Sequence, residues 1–296
     1  MPMTSLRDAI ENRISHLTGR TLGGVDYTQP KGDPGLFGPE TMAWRVHGDF
    51  TSMMCGGISA LLLQMLHPLA LAGVWDHSNF RRDMIGRLRR TSQFIAVTTF
   101  GARDDAERIL ERVRRVHDSV SGYAADGTPY AASDPDLLVW VHVAEMSRFL
   151  ASHIRYRDPG LSLADQDRYF AETARVAEAL GARHVPKSRA AIDDYLERQR
   201  RYLVCDARTR DVIDVLLHAL PLSPVIRPVG ALFMRAGIDL LPPWAATLLS
   251  LEMSAPERLA VRSGIRTIAP VVRWAVRNGS YRRAMERMQA REQAQN

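Results

Sequence analysis

Lysine is almost absent from this chain. Of its 39 basic residues, only Lys31 and Lys187 are lysine. Cysteine is nearly as scarce: Cys55 and Cys205 stand far apart, with no Cys-x-x-Cys pair. That excludes a zinc knuckle, an iron–sulfur centre and a disulfide scaffold, and it suits a reducing compartment. Blocks of like charge are also missing. The net charge is +6 and the isoelectric point about 9.7, but the arginines alternate with acids along helical segments. A nucleic-acid partner is therefore not expected, since it would call for a basic patch or stripe. The first twenty residues have no apolar core of the signal-peptide kind. The longest apolar stretch, residues 58–75, is interrupted by Gln64, His67 and Pro68. It falls short of the ~20 mostly apolar residues that span a membrane. The expectation is a cytoplasmic protein with a buried core helix at that stretch.

Repeats, low-complexity blocks and convincing period-2 strands are absent too. What is present, almost everywhere after residue 40, is a 3.6-residue apolar period. It predicts helices over 82–100 and 104–121, separated by a turn at Gly101. Ser133 or Asp134 with Pro135 opens another helix, which runs to about residue 156. Ser162 followed by Asp165 caps a further one that Gly181 ends. Helices over 187–204 and 209–220 follow, then a break at "PLSPVIRP" and three shorter helices, one starting at "PPW" and one bent near Pro270. The fold class is all-α, a single multi-helix domain. Its organisation reads as an N-terminal helix and irregular lead-in over 1–39, a helical domain over 40–260, and an extension with a polar, fraying tail over 261–296. The apolar, arginine-dotted segment 216–251 has the composition of an interfacial element suited to weak membrane contact, but ordinary core and homo-oligomer contact is the favoured reading.

The helical period also assigns faces. Over 104–121 the apolar residues are Ala106, Ile109, Leu110, Val113, Val116 and Val120, and His117 falls on the same face. Arg108, Glu111, Arg112 and Arg115 point to solvent, with Glu111 and Arg115 at ion-pair spacing. On the preceding helix, Arg87 and Thr91 lie within the inward stripe. A buried arginine needs a partner, either a structural acid or the carboxylate of a ligand. His142 faces inward on the next helix, His67 precedes Pro68, and His77 follows Asp76 in "WDHSNF". The inward polar residues define a candidate binding region in the most apolar third of the chain.

Several chemistries lack their signatures there. No His-Glu-x-x-His or Cys–His spacing supports zinc. No inward Glu-x-x-His pairs support a di-iron bundle, since Glu145 follows His142 in the wrong order. No Gly-x-Ser-x-Gly elbow supports a hydrolase. Haem fits better, because it asks for one axial histidine, apolar walls and a few cations or hydroxyls for its propionates.

The ordered motifs "LHPLALAGVWDHSNF", "GRLRRTSQFIAVTTFG", "VRRVHDSVSG" and "PYAASDPDLLVWVHVAE" resemble the haem-b oxygenase domain shared by rubber oxygenases and mycophenolic-acid pathway oxygenases. The resemblance covers roughly residues 40–260. It implies a globin-like helical core with one haem b (iron) and oxidative dioxygen chemistry; the expectation for this chain is an oxygenase, or a peroxidase-like oxidoreductase using peroxide, acting on a small hydrophobic, isoprenoid or lipid-like substrate. It makes His117 the axial ligand, with Arg87, Thr91 and His142 lining the cofactor. The acid that rubber oxygenases carry upstream of the arginine has no secure counterpart here; Asp76, His77 and His67 are the candidates for the distal acid–base role. The alternatives are a non-catalytic haem or hydrophobic-ligand binding protein, as a sensor or carrier, and a peripheral membrane protein.

Overall fold

The computed structural model describes residues 24–218, 227–276 and 279–295, with side chains up to residue 289. The expected N-terminal helix and most of "PLSPVIRP" lie outside these residues. Thirteen α-helices occur among the described residues, with one short antiparallel hairpin. They are α1 (Met42–His47), α2 (Phe50–Gln64), α3 (Pro68–His77), α4 (Phe80–Phe100), α5 (Arg103–Asp118), α6 (Pro135–Tyr156) and α7 (Leu163–Leu180). After these come α8 (Arg189–Gln199), α9 (Ala207–His218), α10 (Arg227–Asp239), α11 (Pro243–Leu248), α12 (Ala255–Ala275) and α13 (Ser280–Gln295). The hairpin pairs β1 (Ser121–Tyr123) with β2 (Pro129–Ala131), a feature too short for a period-2 signal to register.

Local chemistry sets the helix ends. Asp134 caps α6 by accepting from the Asp136 and Leu137 amides, with Pro135 in the first turn. Ser162 caps α7 through the Asp165 amide, and Gly181 closes it in the left-handed region. The apolar stretch 58–75 forms two helices, α2 and α3, bent by 101° where Pro68 restarts the chain. Among the described residues no single helix is long and apolar enough to cross a membrane.

The centre of the molecule is the antiparallel pair α2 and α6. Trp140 Nε1 donates to the Gln64 carbonyl at one end, and Ser152 Oγ donates to the Ser52 carbonyl towards the other. The backbones close at Gly56, where an added Cβ would lie 2.9 Å from the Arg148 carbonyl oxygen and 3.0 Å from Phe149 Cα. Helices α10 and α12 cover another side of α2, while α4 packs against α5 and α9. Within 216–251, Phe233, Met234, Leu240 and Leu241 are buried in this core, in line with the favoured reading of that segment.

In the C-terminal extension, α13 is anchored by Arg287, which is fully buried and donates to the carbonyls of Asp33 (2.8 Å), Tyr27 (3.1 Å) and Gly101 (3.4 Å). On α5, Ala106 and Leu110 are buried as predicted and Glu111 pairs with Arg115. Val116 is 52% exposed, so the inward face of α5 narrows towards its C-terminus.

Candidate functional site

A cavity of about 1020 Å³ opens between α2, α4 and α6. Each helix lines it at helical spacing. Met53, Met54, Gly57, Ile58 and Leu61 come from α2; Ile85, Leu88, Thr91 and Ile95 from α4; Glu145, Phe149, His153 and the following Arg157 from α6. The walls are mostly aliphatic and aromatic, as in sites for small apolar ligands. Its mouth is charged: Arg45 is paired with Asp158 (2.6 Å) and Arg273 with Asp49 (2.6 Å).

Polar side chains interrupt the apolar wall, among them Thr91 and Glu145. Thr91 Oγ1 donates to the Arg87 carbonyl at 3.3 Å. Glu145 is enclosed by protein yet retains accessible surface, and what it faces is the cavity. Burial pushes its carboxyl up to about 7, against a hydrogen bond from Gln64 and the nearby charge of Arg87. The Arg87 guanidinium, one turn before Thr91, makes no hydrogen bond or close ion pair among the described residues. Burial lowers its pKa and the Arg90 charge adds to that, while Glu145 opposes the shift. The expected inward arginine is thus found, with an acid in its field rather than in its grip.

His117 lies in the last turn of α5, partly buried. Its Nδ1 is buried without a hydrogen-bond partner, and desolvation lowers the ring's pKa against the pull of Asp118. His142 is buried one helical turn before Glu145. Its Nε2 is also unpartnered, and burial depresses the pKa to about 4. His117, His142 and Arg87 do not border the cavity directly; Thr91 does.

The three expected distal groups stand elsewhere. His67 lines a second cavity of about 740 Å³, beside Trp140, with its Nδ1 buried and unpartnered and its pKa depressed by burial to about 4. Asp76 and His77 are exposed and hold the hairpin. Tyr130 Oη donates to Asp76 Oδ2 at 2.7 Å, and His77 Nε2 lies 3.1 Å from both the Ser121 carbonyl and Tyr130 Oη. Neither residue borders either cavity. Among the described residues no three His, Cys, Asp or Glu side chains converge to hold a bare metal ion.

Sequence reasoning did not assign Glu145, His153 or Gly57 to the site. The signals were a glycine pair inside an apolar helix, which marks a close approach or a missing side chain, and an acid four residues before Phe149 on the buried face of α6.

A family model described as "ER-bound oxygenase mpaB/B'/Rubber oxygenase, catalytic domain" matches residues 44–274. No curated protein and no solved structure matches.

Proposed function

The chain belongs to this oxygenase catalytic-domain family, and from that premise we propose a haem b-dependent oxygenase acting with dioxygen on a small hydrophobic substrate. The observation carrying the haem assignment is His117, a partly buried imidazole with an unpartnered ring nitrogen, in the matched region. The residues fit the group. Desolvation keeps the His117 ring neutral at physiological pH, so a lone pair is available to iron. Arg87, desolvated and without a close partner, supplies a cation suited to a propionate. Thr91 on α4 adds a hydroxyl, and His142 on α6 a neutral imidazole.

Haem b, when bound, supplies redox-active iron for the chemistry with dioxygen. The protein's own part is to place and dry the substrate: Met54, Leu61, Leu88, Ile95 and Phe149 exclude water from the cavity. Acid–base work falls to Glu145, whose carboxyl faces the cavity and exchanges a proton near neutral pH. Asp76, His77 and His67 are committed to the hairpin or to the second cavity.

The absorption spectrum of protein expressed with ample haem precursor tests the cofactor. A Soret band is expected that His117→Ala abolishes or grossly perturbs while the helical circular dichroism persists. Arg87→Ala should retain the band but weaken haem retention by about tenfold or more, the worth of one charge-assisted contact. Colourless wild-type protein would overturn the proposal. Substrate-dependent dioxygen uptake separates an oxygenase from a haem carrier.

A further inference from the structure

The cavity has a direction. From Arg157 to Glu145 the lining stripe of α6 spans roughly 18 Å of helix, with His153 and Phe149 at four-residue intervals between them. Polar groups come first at the mouth and apolar ones follow. Asp49 and Asp158 at the mouth are each neutralised by an arginine. Arg157 and Arg282 are exposed there, and neither side chain makes an ion pair or hydrogen bond among the described residues; the carboxylates of Glu40 and Asp165 also line the mouth, and Arg157 is the cation one turn from His153. One turn further in, His153 is 1% exposed, and both of its ring nitrogens lack partners. Such a ring is costly to bury unless something completes its hydrogen bonds.

Beyond His153 the cavity passes Gly57. A Cβ added at Gly57 would meet only Phe149 Cε1, at 3.8 Å, so the absent side chain leaves open space that forms part of the cavity. Its neighbour Gly56 is the opposite case, pressed against the α6 backbone.

We propose that this cavity is a channel for a single-chain amphiphile with an anionic head, of the long-chain carboxylate class. The carboxylate sits between Arg157 and His153 at the mouth, and the tail threads past Gly57 towards Thr91 and Glu145. A guanidinium and a neutral imidazole together supply the donors a carboxylate needs. The proposal deepens the oxygenase reading by naming its substrate class, but the binding it describes does not depend on haem.

Titration calorimetry of the full chain with dodecanoate, dodecan-1-ol and butanoate tests it. Saturable one-to-one binding of dodecanoate is expected, with dodecan-1-ol at least about tenfold weaker and butanoate weaker still. Gly57→Leu should cut dodecanoate affinity by at least about tenfold while leaving the helical circular dichroism intact. Arg157→Gln should bring dodecanoate down to the level of dodecan-1-ol and leave the alcohol unchanged. If Gly57→Leu does not fold, Gly57→Ala, which meets no close neighbour, should still weaken dodecanoate measurably. The proposal is overturned by no saturable dodecanoate binding, by equal affinity for acid and alcohol, or by a folded Gly57 variant that binds like wild type. The absorption spectrum of the same samples reports separately on haem, so the two readings fail independently.

Discussion

Glu145 is the residue where burial and chemistry conflict most directly. Its carboxyl ordinarily loses its proton near 4.5, and in the fold it does so at about 7. Between those values the unfolded chain has released the proton and the folded chain has not. Stability contributed at this site therefore falls as pH rises from about 4.5 to 7, by a total on the order of 3 kcal/mol, and stays low above that. Glu145→Gln should raise the urea midpoint at pH 8 and leave it nearly unchanged at pH 4. Equal shifts at both pH values would show that the carboxyl is not held protonated. In the oxygenase reading, the same variant should remove an apparent pKa near 7 from the pH–rate profile. Single-residue faces were legible in the sequence wherever one helix decides them. The inward turn of Arg87, Thr91 and His142 is of this kind, and so is the outward Glu111–Arg115 pair. Glu145 was not, because its surroundings are α2 and α4, packed from elsewhere in the chain. Asp76 and His77 are a related case: only the β1–β2 hairpin, folded back on α3, shows what holds them.

At the scale of elements, helix existence followed from apolar period and capping chemistry, and α6 and α7 start at the residues their caps dictate. What the period could not supply is how closely two helices approach. That is set by the neighbouring glycines in α2, which have opposite roles. Gly56 admits the Arg148 carbonyl and Phe149 backbone, so a methyl there must push α2 and α6 apart. Gly57 faces open space with Phe149 Cε1 at ordinary van der Waals distance. Gly57→Ala should then stabilise the protein by roughly 0.5–1 kcal/mol through helix propensity. Gly56→Ala should destabilise it by about 1–3 kcal/mol through overpacking. Thermal unfolding of the two variants side by side measures the difference in sign. Similar shifts for both would deny that Gly56 is the contact point of the central pair.

Over the whole molecule, the fold encloses an unusual number of neutral histidines. Burial depresses His47 to about 3 and His67, His142 and His153 each to about 4, against an ordinary value of 6.5. His47 is satisfied by Thr99 and Tyr169 at 2.8 Å each, but both nitrogens of His153 and one each of His67 and His142 have no partner. As pH falls below 6.5 the unfolded chain takes up protons that these rings refuse, so stability is lost progressively down to about pH 4. Each ring accounts for on the order of 3 kcal/mol by then. Four of them together rival the entire 5–15 kcal/mol that holds a typical domain, and they outweigh the single opposing effect of Glu145. The urea midpoint is therefore expected to drop steeply between pH 6.5 and 4.5, with His142→Asn showing a shallower fall because one refusing ring is gone. A midpoint that holds steady across that interval would mean the rings acquire proton-accepting partners in solution. A bound carboxylate at His153, which lines the channel, should blunt the loss in the same way. Repeating the acid series with saturating dodecanoate therefore asks whether the histidine burden of this fold is relieved by the ligand its cavity is shaped to hold.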